Sequence, residues 1–430
     1  MATINYSRFG EKMESFVLPN GLHVDLIARP SFHQTDGILT TRFGSVNTTF
    51  TVDDQLKTYP SGIAHFLEHK LFEKEEYDAF DKFAIYGADS NAFTSFTRTS
   101  YLFSTAENVG ECVSTLLDFV FSPYFSDQTV NKEKGIIGQE IQMYEDDANW
   151  QLLFGIISNL YPKTPLTADI AGSVQSIQAI TPAMLYECDQ YFYQPSNMSL
   201  MIVGNFDEAQ IKEIIKNAAA GSLASNDKLN LQRVDPGHPA IVPFAERQMD
   251  VQRPKLALGV RGEKGFLPAE RFKAKIMLQI ILEMLVGESS ADYQRLFDQG
   301  LIDNSFGYEI QLEDGFQFVD FYLDTSLEQI DQAAAELKAI IVNAVAKLTE
   351  QKPIFESMKR EFIGRAIKGM NSNENIANQF DLWLYGERTV FDVPATIEQL
   401  TFDEVVDFAN QFFDPAKLTR YQILPRGDQK

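Results

Sequence analysis

Cysteine is scarce in this sequence, and long apolar runs are missing. Cys112 and Cys188 are the only cysteines in 430 residues. They form no C-x-x-C pair, so neither a disulfide framework nor a thiolate metal site is expected, and both should be buried thiols. No stretch approaches the roughly 20 apolar residues that a membrane helix needs. The N-terminus, residues 1–15, is polar and lacks the apolar segment of an export signal. We therefore expect a cytoplasmic protein that does not span a membrane.

Positive charge is also in short supply. The chain has 37 Lys and Arg against 60 Asp and Glu, which gives a formal net charge of -23. This balance argues against binding to nucleic acid or to anionic membranes. A solvated acidic surface explains the charge most simply, and a preference for basic substrates in an enclosed site is the alternative. The length suits two domains of about 200 residues each.

Histidine is rare as well, yet two of the five histidines lie close together. His65, Glu68 and His69 form H-x-x-E-H, with spacings that put all three side chains on one face of a helix. Two neutral imidazoles can bind zinc, and a neighbouring carboxylate that does not bind the metal can take a proton from water. The alternative is a chance pair on an ordinary amphipathic helix, which the scarcity of histidine disfavours. The remaining histidines stand alone and are interpreted as structural: His23, His33 and His238.

The two halves of the chain resemble each other at a constant offset in sequence number. In residues 180–200 and 400–420 an amphipathic helix ends in an aromatic cluster, a proline follows, and an apolar strand comes next. The matched positions are Thr181 with Thr401, Leu185 with Val405, Phe192 with Phe412, Tyr193 with Phe413 and Pro195 with Pro415. The second half has no metal motif. At the corresponding helix, Ile280 and Met284 align with His65 and His69, and they can only pack.

Each half opens with strands, passes through several helices and returns to a strand. This order predicts an α+β fold of two homologous domains, each a mainly antiparallel sheet covered on one side by helices. We predict an N-terminal metal-binding domain at residues 1–222 and a linker rich in Ser, Asn, Asp, Pro and Gly at residues 223–244. The homologous domain without a metal site follows at residues 245–430.

Local patterns place the motifs on elements of the first half. Phe16 to Ile27, with Asn20-Gly21 in the middle, predicts a hairpin. Ser61 is the expected N-cap of the motif helix. Residues 91–104, rich in Thr, Phe and Tyr, predict a pair of strands, and residues 127–161 predict mostly helix.

Two imidazoles leave a catalytic zinc short of one protein ligand, and a carboxylate further along the chain is the usual third one. Glu133 and Glu140 are seven residues apart and so lie on one helical face, two turns apart. Spacing alone is a weak signal, and other acidic residues remain candidates at this point.

Three segments carry a resemblance to a known family. They are G-I-A-H-F-L-E-H at residues 62–69, S-N-A-F-T-S at residues 90–95 and E-K-G-I-I-G-Q-E at residues 133–140. Over essentially its whole length the chain resembles the pitrilysin or insulinase metallopeptidases. Within that family it is most similar to a half-length bacterial branch whose members are often labelled as associated with the 5-aminopentanol modification of elongation factor P.

The resemblance implies roles for the matching positions of these segments. His65, His69 and Glu140 would bind Zn²⁺, Glu68 would be the general base, and Glu133 would support the site from outside the ligand set. An edge strand would bind an extended peptide through its backbone, with an ordinary strand as the alternative; its residues are Asn91, Ala92, Phe93 and Thr94.

The implied function is a zinc endopeptidase that cleaves extended or unfolded peptides. Two alternatives stay open: a peptide-binding or assembly subunit of the same fold without catalysis, and a hydrolase of a non-peptide bond.

One departure from the family pattern bears on assembly. Family members carry an Arg and a Tyr in the second domain that hold the substrate near the metal. Here residues 296–303 read L-F-D-Q-G-L-I-D, and the nearby Arg295 and Tyr308 have a different spacing. We therefore expect a heterodimer with a related subunit that lacks the motif, although a homodimer would also be possible.

Overall fold

The computed structural model describes residues 2–220, 231–233, 237–262 and 265–426. In these residues helices and strands alternate along both halves of the chain. The strands are β1 (Ala2–Tyr6), β2 (Glu11–Val17), β3 (His23–Ala28), β4 (Thr35–Thr41), β5 (Thr49–Val52), β6 (Gln55–Thr58), β7 (Asp89–Thr94), β8 (Thr99–Thr105), β9 (Met198–Gly204), β10 (Leu231–Arg233), β11 (Phe244–Met249), β12 (Lys255–Arg261), β13 (Gly307–Leu312), β14 (Gln317–Asp324) and β15 (Leu418–Pro425).

The helices of the first half are α1 (Ile63–Phe72), α2 (Ala79–Ile85), α3 (Val109–Phe121), α4 (Asp127–Asp146), α5 (Ala148–Leu160), α6 (Val174–Gln178), α7 (Pro182–Phe192) and α8 (Glu208–Ala220). Those of the second half are α9 (Pro268–Val286), α10 (Ala291–Asp298), α11 (Ile330–Val342), α12 (Ala344–Glu350), α13 (Phe355–Gly369), α14 (Asn373–Gln379), α15 (Leu382–Tyr385), α16 (Val393–Gln399) and α17 (Phe402–Phe412).

Among the described residues, the first half forms a seven-stranded sheet in the order β1-β2-β3-β9-β4-β8-β7. Neighbouring strands are antiparallel except β3 and β9, which are parallel. One face of the sheet packs against helices of the same half in a continuous apolar core. Phe66 of α1, Leu116 of α3 and Ile137 of α4 meet Leu26 and Leu200 of the sheet there.

The described part of the second half forms a five-stranded sheet in the order β11-β15-β12-β14-β13. This order repeats β3-β9-β4-β8-β7 strand for strand, including the single parallel pair, which is β11 with β15. The first residues of β12 and β15 follow those of β4 and β9 at the offset seen in the sequence repeat. The predicted α+β fold of two similar sheet-and-helix halves is confirmed.

Each sheet is also covered on its second face, by a helix from the other half. Ile156 and Ile157 of α5 pack against Ala257, Phe318 and Ile423 of the second sheet. In return, α14 packs on the outer face of the first sheet, with Ile376 and Ala377 in contact with a cluster formed by Met13, Ile27, Ile38, Met201 and Val203. This exchange was not predicted, because an amphipathic pattern shows that a helix has an apolar face and does not show which sheet receives it.

The local predictions agree with the structure except at one helix start. The hairpin is β2 and β3, the strand pair is β7 and β8, and the helical stretch is α4 and α5. The N-cap of α1 is Gly62 rather than Ser61. Ser61 instead accepts a hydrogen bond at its carbonyl oxygen from Ser176, so its backbone holds the loop that precedes the helix.

The predicted linker lies partly outside the described residues, which lack 221–230 and 234–236. Within it, β10 pairs with β5 of the first half. The boundaries at 222 and 245 therefore stay a prediction.

The structure bears on the expectations for the two cysteines and for membrane-spanning helices. Cys112 and Cys188 are both fully buried and unpaired, as predicted, and burial raises the pKa of the Cys112 thiol to about 11. Among the described helices, none is long and apolar enough to cross a bilayer.

The exchange of helices predicts a specific loss of stability. We expect Ile156→Ala to lower the free energy of unfolding by about 2–4 kcal/mol, because it leaves a cavity between α5 and the second sheet. Urea unfolding followed by circular dichroism measures it. Ile367→Ala is the control, since Ile367 is 41% exposed and should lose less than about 0.5 kcal/mol. Equal losses in the two variants would contradict the packing role of α5.

Candidate metal centre

The start of helix α1 is held by close contacts between backbones. Gly62 has φ 86°, in the left-handed region that favours glycine. A Cβ at Gly62 would overlap the carbonyl oxygen of Ala171, and one at Gly172 would approach the carbonyl oxygen of Ser61 to 2.5 Å. The hydroxyl of Ser176 donates to the same Ser61 oxygen at 2.8 Å. Small residues thus allow the two loops to meet, which fixes where α1 begins.

Helices α1 and α4 bring three candidate ligands together. His65 and His69 lie one turn apart on α1, with ring centroids separated by 4.5 Å. The Nε2 atom of each imidazole is 3.5 Å from a carboxylate oxygen of Glu140 on α4. Among the described residues, these three form the one group of His, Cys, Asp or Glu whose ligand atoms all lie within 4.8 Å of one another.

The spacing of these atoms is of the size that a zinc site requires. Ligand atoms that each lie about 2.1 Å from a tetrahedral ion are about 3.4 Å apart, and the Nε2 atoms of His65 and His69 each lie 3.5 Å from a different oxygen of Glu140. Two imidazoles and one carboxylate also match the donor set of catalytic zinc sites, which keep a fourth position open. The Nδ1 atom of His65 is buried and has no hydrogen-bond partner among the described residues.

Two neighbours orient the candidate ligands. The Nδ1 atom of His69 is 3.1 Å from Glu133, which is buried on α4 two turns before Glu140. A carboxylate at this nitrogen leaves Nε2 directed at the metal position. The hydroxyl of Tyr144 donates to Glu140 at 2.7 Å. Burial acts to raise the pKa of Glu140, but His65 and Tyr144 outweigh it and lower that pKa to about 2, so the carboxylate stays ionised.

Glu68 lies beside the cluster without joining it. Its carboxylate accepts a hydrogen bond from the hydroxyl of Thr94 at 2.5 Å, and its side chain is largely buried. Burial raises the pKa of Glu68 above its ordinary value, and His65 and Thr94 oppose this rise. A raised pKa makes a carboxylate a stronger proton acceptor, which suits Glu68 to accept and return a proton.

Strand β7 forms one wall of the cavity over the cluster. The cavity has a volume of about 770 Å³, and the four predicted strand residues line it: Asn91, Ala92, Phe93 and Thr94. β7 is the last strand of its sheet and pairs on one side with β8. Its outer edge is therefore positioned to receive an added strand.

Sequence reasoning missed three residues around the cavity. Tyr144 follows Glu140 by one helical turn, a spacing that offered a signal. The ring of Tyr144 stacks on Trp150 with centroids 4.7 Å apart, and the Trp150 indole N–H donates to Asp169. Nothing in the local sequence pointed to Trp150 or Asp169, because their contacts depend on how α4, α5 and the following loop pack.

The second half contributes no described residue to the lining of this cavity. Ile280 and Met284 of α9 are fully buried in the core of their own half. Arg295 is bound to Asp292 and Glu336. Tyr308 lies on β13 and lines a separate cavity. The isolated histidines also stay apart from the cluster; His23, for example, pairs with Asp25.

The duplicated fold and this donor set together define a class: metallopeptidase-like proteins with an inverted H-x-x-E-H motif. Comparison with known proteins identifies one peptidase family within this class. A family model described as "Insulinase (Peptidase family M16)" matches residues 56–173, and one described as "Peptidase M16 inactive domain" matches residues 179–361.

Three relatives illustrate the similarity. An "Uncharacterized zinc protease", YmfH, of Bacillus subtilis is 39% identical over 99% of each chain. A "putative M16-like peptidase" from Alicyclobacillus acidocaldarius, known from its crystal structure, is 32% identical with a TM-score of 0.90, over 97% of this chain and 99% of that one. A protein of Arabidopsis thaliana named as a probable mitochondrial-processing peptidase subunit beta is 24% identical over 50% of this chain and 40% of its own length. This chain belongs to the M16, or insulinase, peptidase family, as a half-length member.

The backbone contact at the start of α1 predicts that substitution of Gly62 destabilises the protein. We expect Gly62→Ala to lower the free energy of unfolding by about 2 kcal/mol or more, because the new Cβ both strains the left-handed backbone and overlaps Ala171. Gly135→Ala on α4 is the control, since nothing lies within 4 Å of its added Cβ; it should be neutral or slightly stabilising. Thermal unfolding of both variants measures the effect. A harmless Gly62→Ala would show that this loop contact does not fix α1.

Proposed function

We propose that this protein is a zinc-dependent endopeptidase that cleaves extended or unfolded peptides. The observation that carries the proposal is the 3.5 Å approach of both imidazoles to the Glu140 carboxylate, in a cavity bordered by a free strand edge. His65, His69 and Glu140 would hold the ion. The zinc protease names of the relatives support the same reaction class.

Zinc, when bound at such a site, polarises a scissile carbonyl and lowers the pKa of a water molecule. Glu68 then acts as the general base, accepting a proton from the attacking water and delivering it to the leaving amine. Thr94 holds the Glu68 carboxylate in position through its hydroxyl. Glu133 holds His69 by its Nδ1 atom. No covalent intermediate is needed, because water attacks directly.

The substrate would bind as an added strand along β7. Backbone pairing there requires free amide and carbonyl groups on the peptide, and folded proteins have already paired theirs. The proposal therefore favours flexible chains over folded domains. The cytoplasmic location expected from the sequence remains part of this proposal, in accord with two buried, unpaired thiols.

Two substitutions separate metal binding from the chemical step. We expect Glu68→Gln to abolish peptide cleavage while zinc affinity is retained, because the amide cannot accept the proton. We expect Glu133→Gln to weaken zinc binding by about tenfold or more, because His69 loses its charged partner. Calorimetric titration with zinc and a fluorogenic peptide assay measure the two effects. Glu145→Gln, an exposed change on the same helix α4, is the control and should alter neither.

Each result bears on an alternative function. Unchanged cleavage in Glu68→Gln would show that Glu68 is not the general base. Zinc binding without cleavage of any peptide in a mixed library, with a partner subunit present, would favour the assembly subunit. Products formed by breaking a bond other than an amide would favour the non-peptide hydrolase.

We further propose that the protein works as a dimer, with a related subunit that lacks the motif or with a second copy of itself. The metal cavity receives no described residue from the second half, and Arg295 is engaged in ion pairs away from the site. Groups that hold the substrate over the metal would then come from the partner. The relative named as a subunit beta gives a family precedent for subunit assembly.

The dimer proposal predicts concentration-dependent activity. We expect the purified chain to bind zinc as a monomer and to cleave peptides slowly, with kcat/KM rising about tenfold or more when it associates. Activity across a dilution series tests association with a second copy, and activity on adding the related subunit tests the heterodimer, with mass measured by sedimentation in both cases. Full peptidase activity in a strictly monomeric sample would contradict the partner's role.

A further inference from the structure

A second cavity adjoins the metal cavity on the side of the second half. It has a volume of about 450 Å³ and lies between α5 and the strands of the second sheet. Trp150, in the first turn of α5, lines both cavities. The two cavities therefore share the Trp150 ring as part of their walls.

A buried carboxyl group with one unpartnered oxygen atom lines this second cavity. Asp320 on β14 is 2% exposed, and its Oδ1 atom has no hydrogen-bond partner among the described residues. Even-numbered residues of β14, such as Phe318, face α5, while Val319 and Phe321 face the helices of their own half. Asp320 thus points to the α5 side, where an unpaired Oδ1 atom is costly unless a ligand satisfies it.

A second carboxylate stands directly opposite. Glu309 on β13 is the cross-strand partner of Asp320 in the antiparallel register, so both side chains lie on the same face. Glu309 is exposed and also lines the cavity. Burial raises the pKa of Asp320 well above its usual range, and Glu309 raises it further. A cation between the two groups would favour the ionised form of both.

The cavity has more acidic than basic groups. Among the described residues that line it, Lys255 is the one basic residue, and it is bound to Asp324 at 2.7 Å. Asp147 accepts hydrogen bonds from backbone amides at the start of α5. Within the described ranges, no basic side chain pairs with Glu309 or Asp320, and both face the cavity.

A metal ion is a poorer occupant than an organic cation. Divalent metals need several oxygen atoms close together. Among the described residues, the group with ligand atoms that close is His65, His69 and Glu140, which lies outside this cavity. The walls also include the apolar or aromatic side chains of Trp150, Leu153 and Tyr322. Such walls cover the aliphatic stem of a basic side chain, and aromatic rings attract its charged head.

We infer that this cavity is a specificity subsite that binds a lysine or arginine side chain of the peptide substrate, with Asp320 and Glu309 as its counter-charges. This inference rests on the proposed peptidase function and names the substrate class. The net charge of -23 also favours substrates with basic side chains, because it concentrates cationic peptides near the protein.

The test uses short flexible peptides that carry one lysine, placed at successive positions around the cleaved bond. Each is paired with the same peptide carrying norleucine, which keeps the aliphatic stem and removes the charge. We expect kcat/KM to favour lysine by about tenfold at one position. Asp320→Asn and Glu309→Gln should each bring this ratio close to one. Asp403→Asn, a change at a side chain that is 87% exposed, removes a charge elsewhere and should keep the ratio.

Peptide binding to the Glu68→Gln protein, which should not cleave, distinguishes a failure of the subsite from a failure of the peptidase proposal. Calorimetry should show the lysine peptide binding about tenfold tighter than its norleucine pair, with the difference lost in Glu309→Gln. Equal cleavage of paired peptides at every position would overturn the subsite and leave the peptidase proposal standing. Absence of cleavage would overturn the peptidase proposal, and equal binding of the pairs would still refute the subsite. Glu309 is exposed, so its variant serves the test if Asp320→Asn does not fold.

Discussion

The position of the Glu140 carboxylate depends on the packing of α5 against the other half of the molecule. Asp147 alone separates α4, which carries Glu133 and Glu140, from α5. It caps α5 by accepting from the amides of Asn149 and Trp150. Because α5 is buried against the second sheet, that sheet fixes the end of the helix that carries the glutamate. The imidazoles belong to a helix anchored within the first half. The candidate metal centre is therefore assembled from both halves, although its side chains come from one.

This arrangement gives the second half a structural role at the candidate metal centre, to which it contributes no ligand among the described residues. Its sheet keeps the strand order of the first and supports α5 in the same way that the first sheet supports α14. The exchange is reciprocal, so neither half has a fully covered sheet without the other. A scaffold of this kind holds ligand atoms in place because the supporting contacts are apolar and closely packed.

Much of the fold could be predicted from the sequence, because its signals are local. Alternating strands, the Asn20-Gly21 turn and the repeat between the two halves all follow from short patterns, and the H-x-x-E-H spacing fixes a helical face. Glu140 is different: spacing left it among several acids, and only the resemblance to a family singled it out. The hydroxyl of Thr94 binds Glu68, a contact that the strand pattern did not indicate, while the predicted contact of Thr94 with substrate stays a prediction. The N-cap of α1 is Gly62 rather than Ser61, and Gly62 is in close contact with the distant loop that contains Ala171. These features depend on tertiary contacts that no sequence window contains.

Burial of α9 has a consequence for how the two halves diverged. Ile280 and Met284, which align with the two motif histidines, are 0% and 1% exposed inside a tight apolar core. Imidazoles introduced there would be enclosed without partners or access to an ion, at a cost of several kcal/mol. Single substitutions cannot restore a metal motif on this helix without first opening its surroundings. A metal centre on α9 would therefore require changes in the surrounding core as well as at Ile280 and Met284.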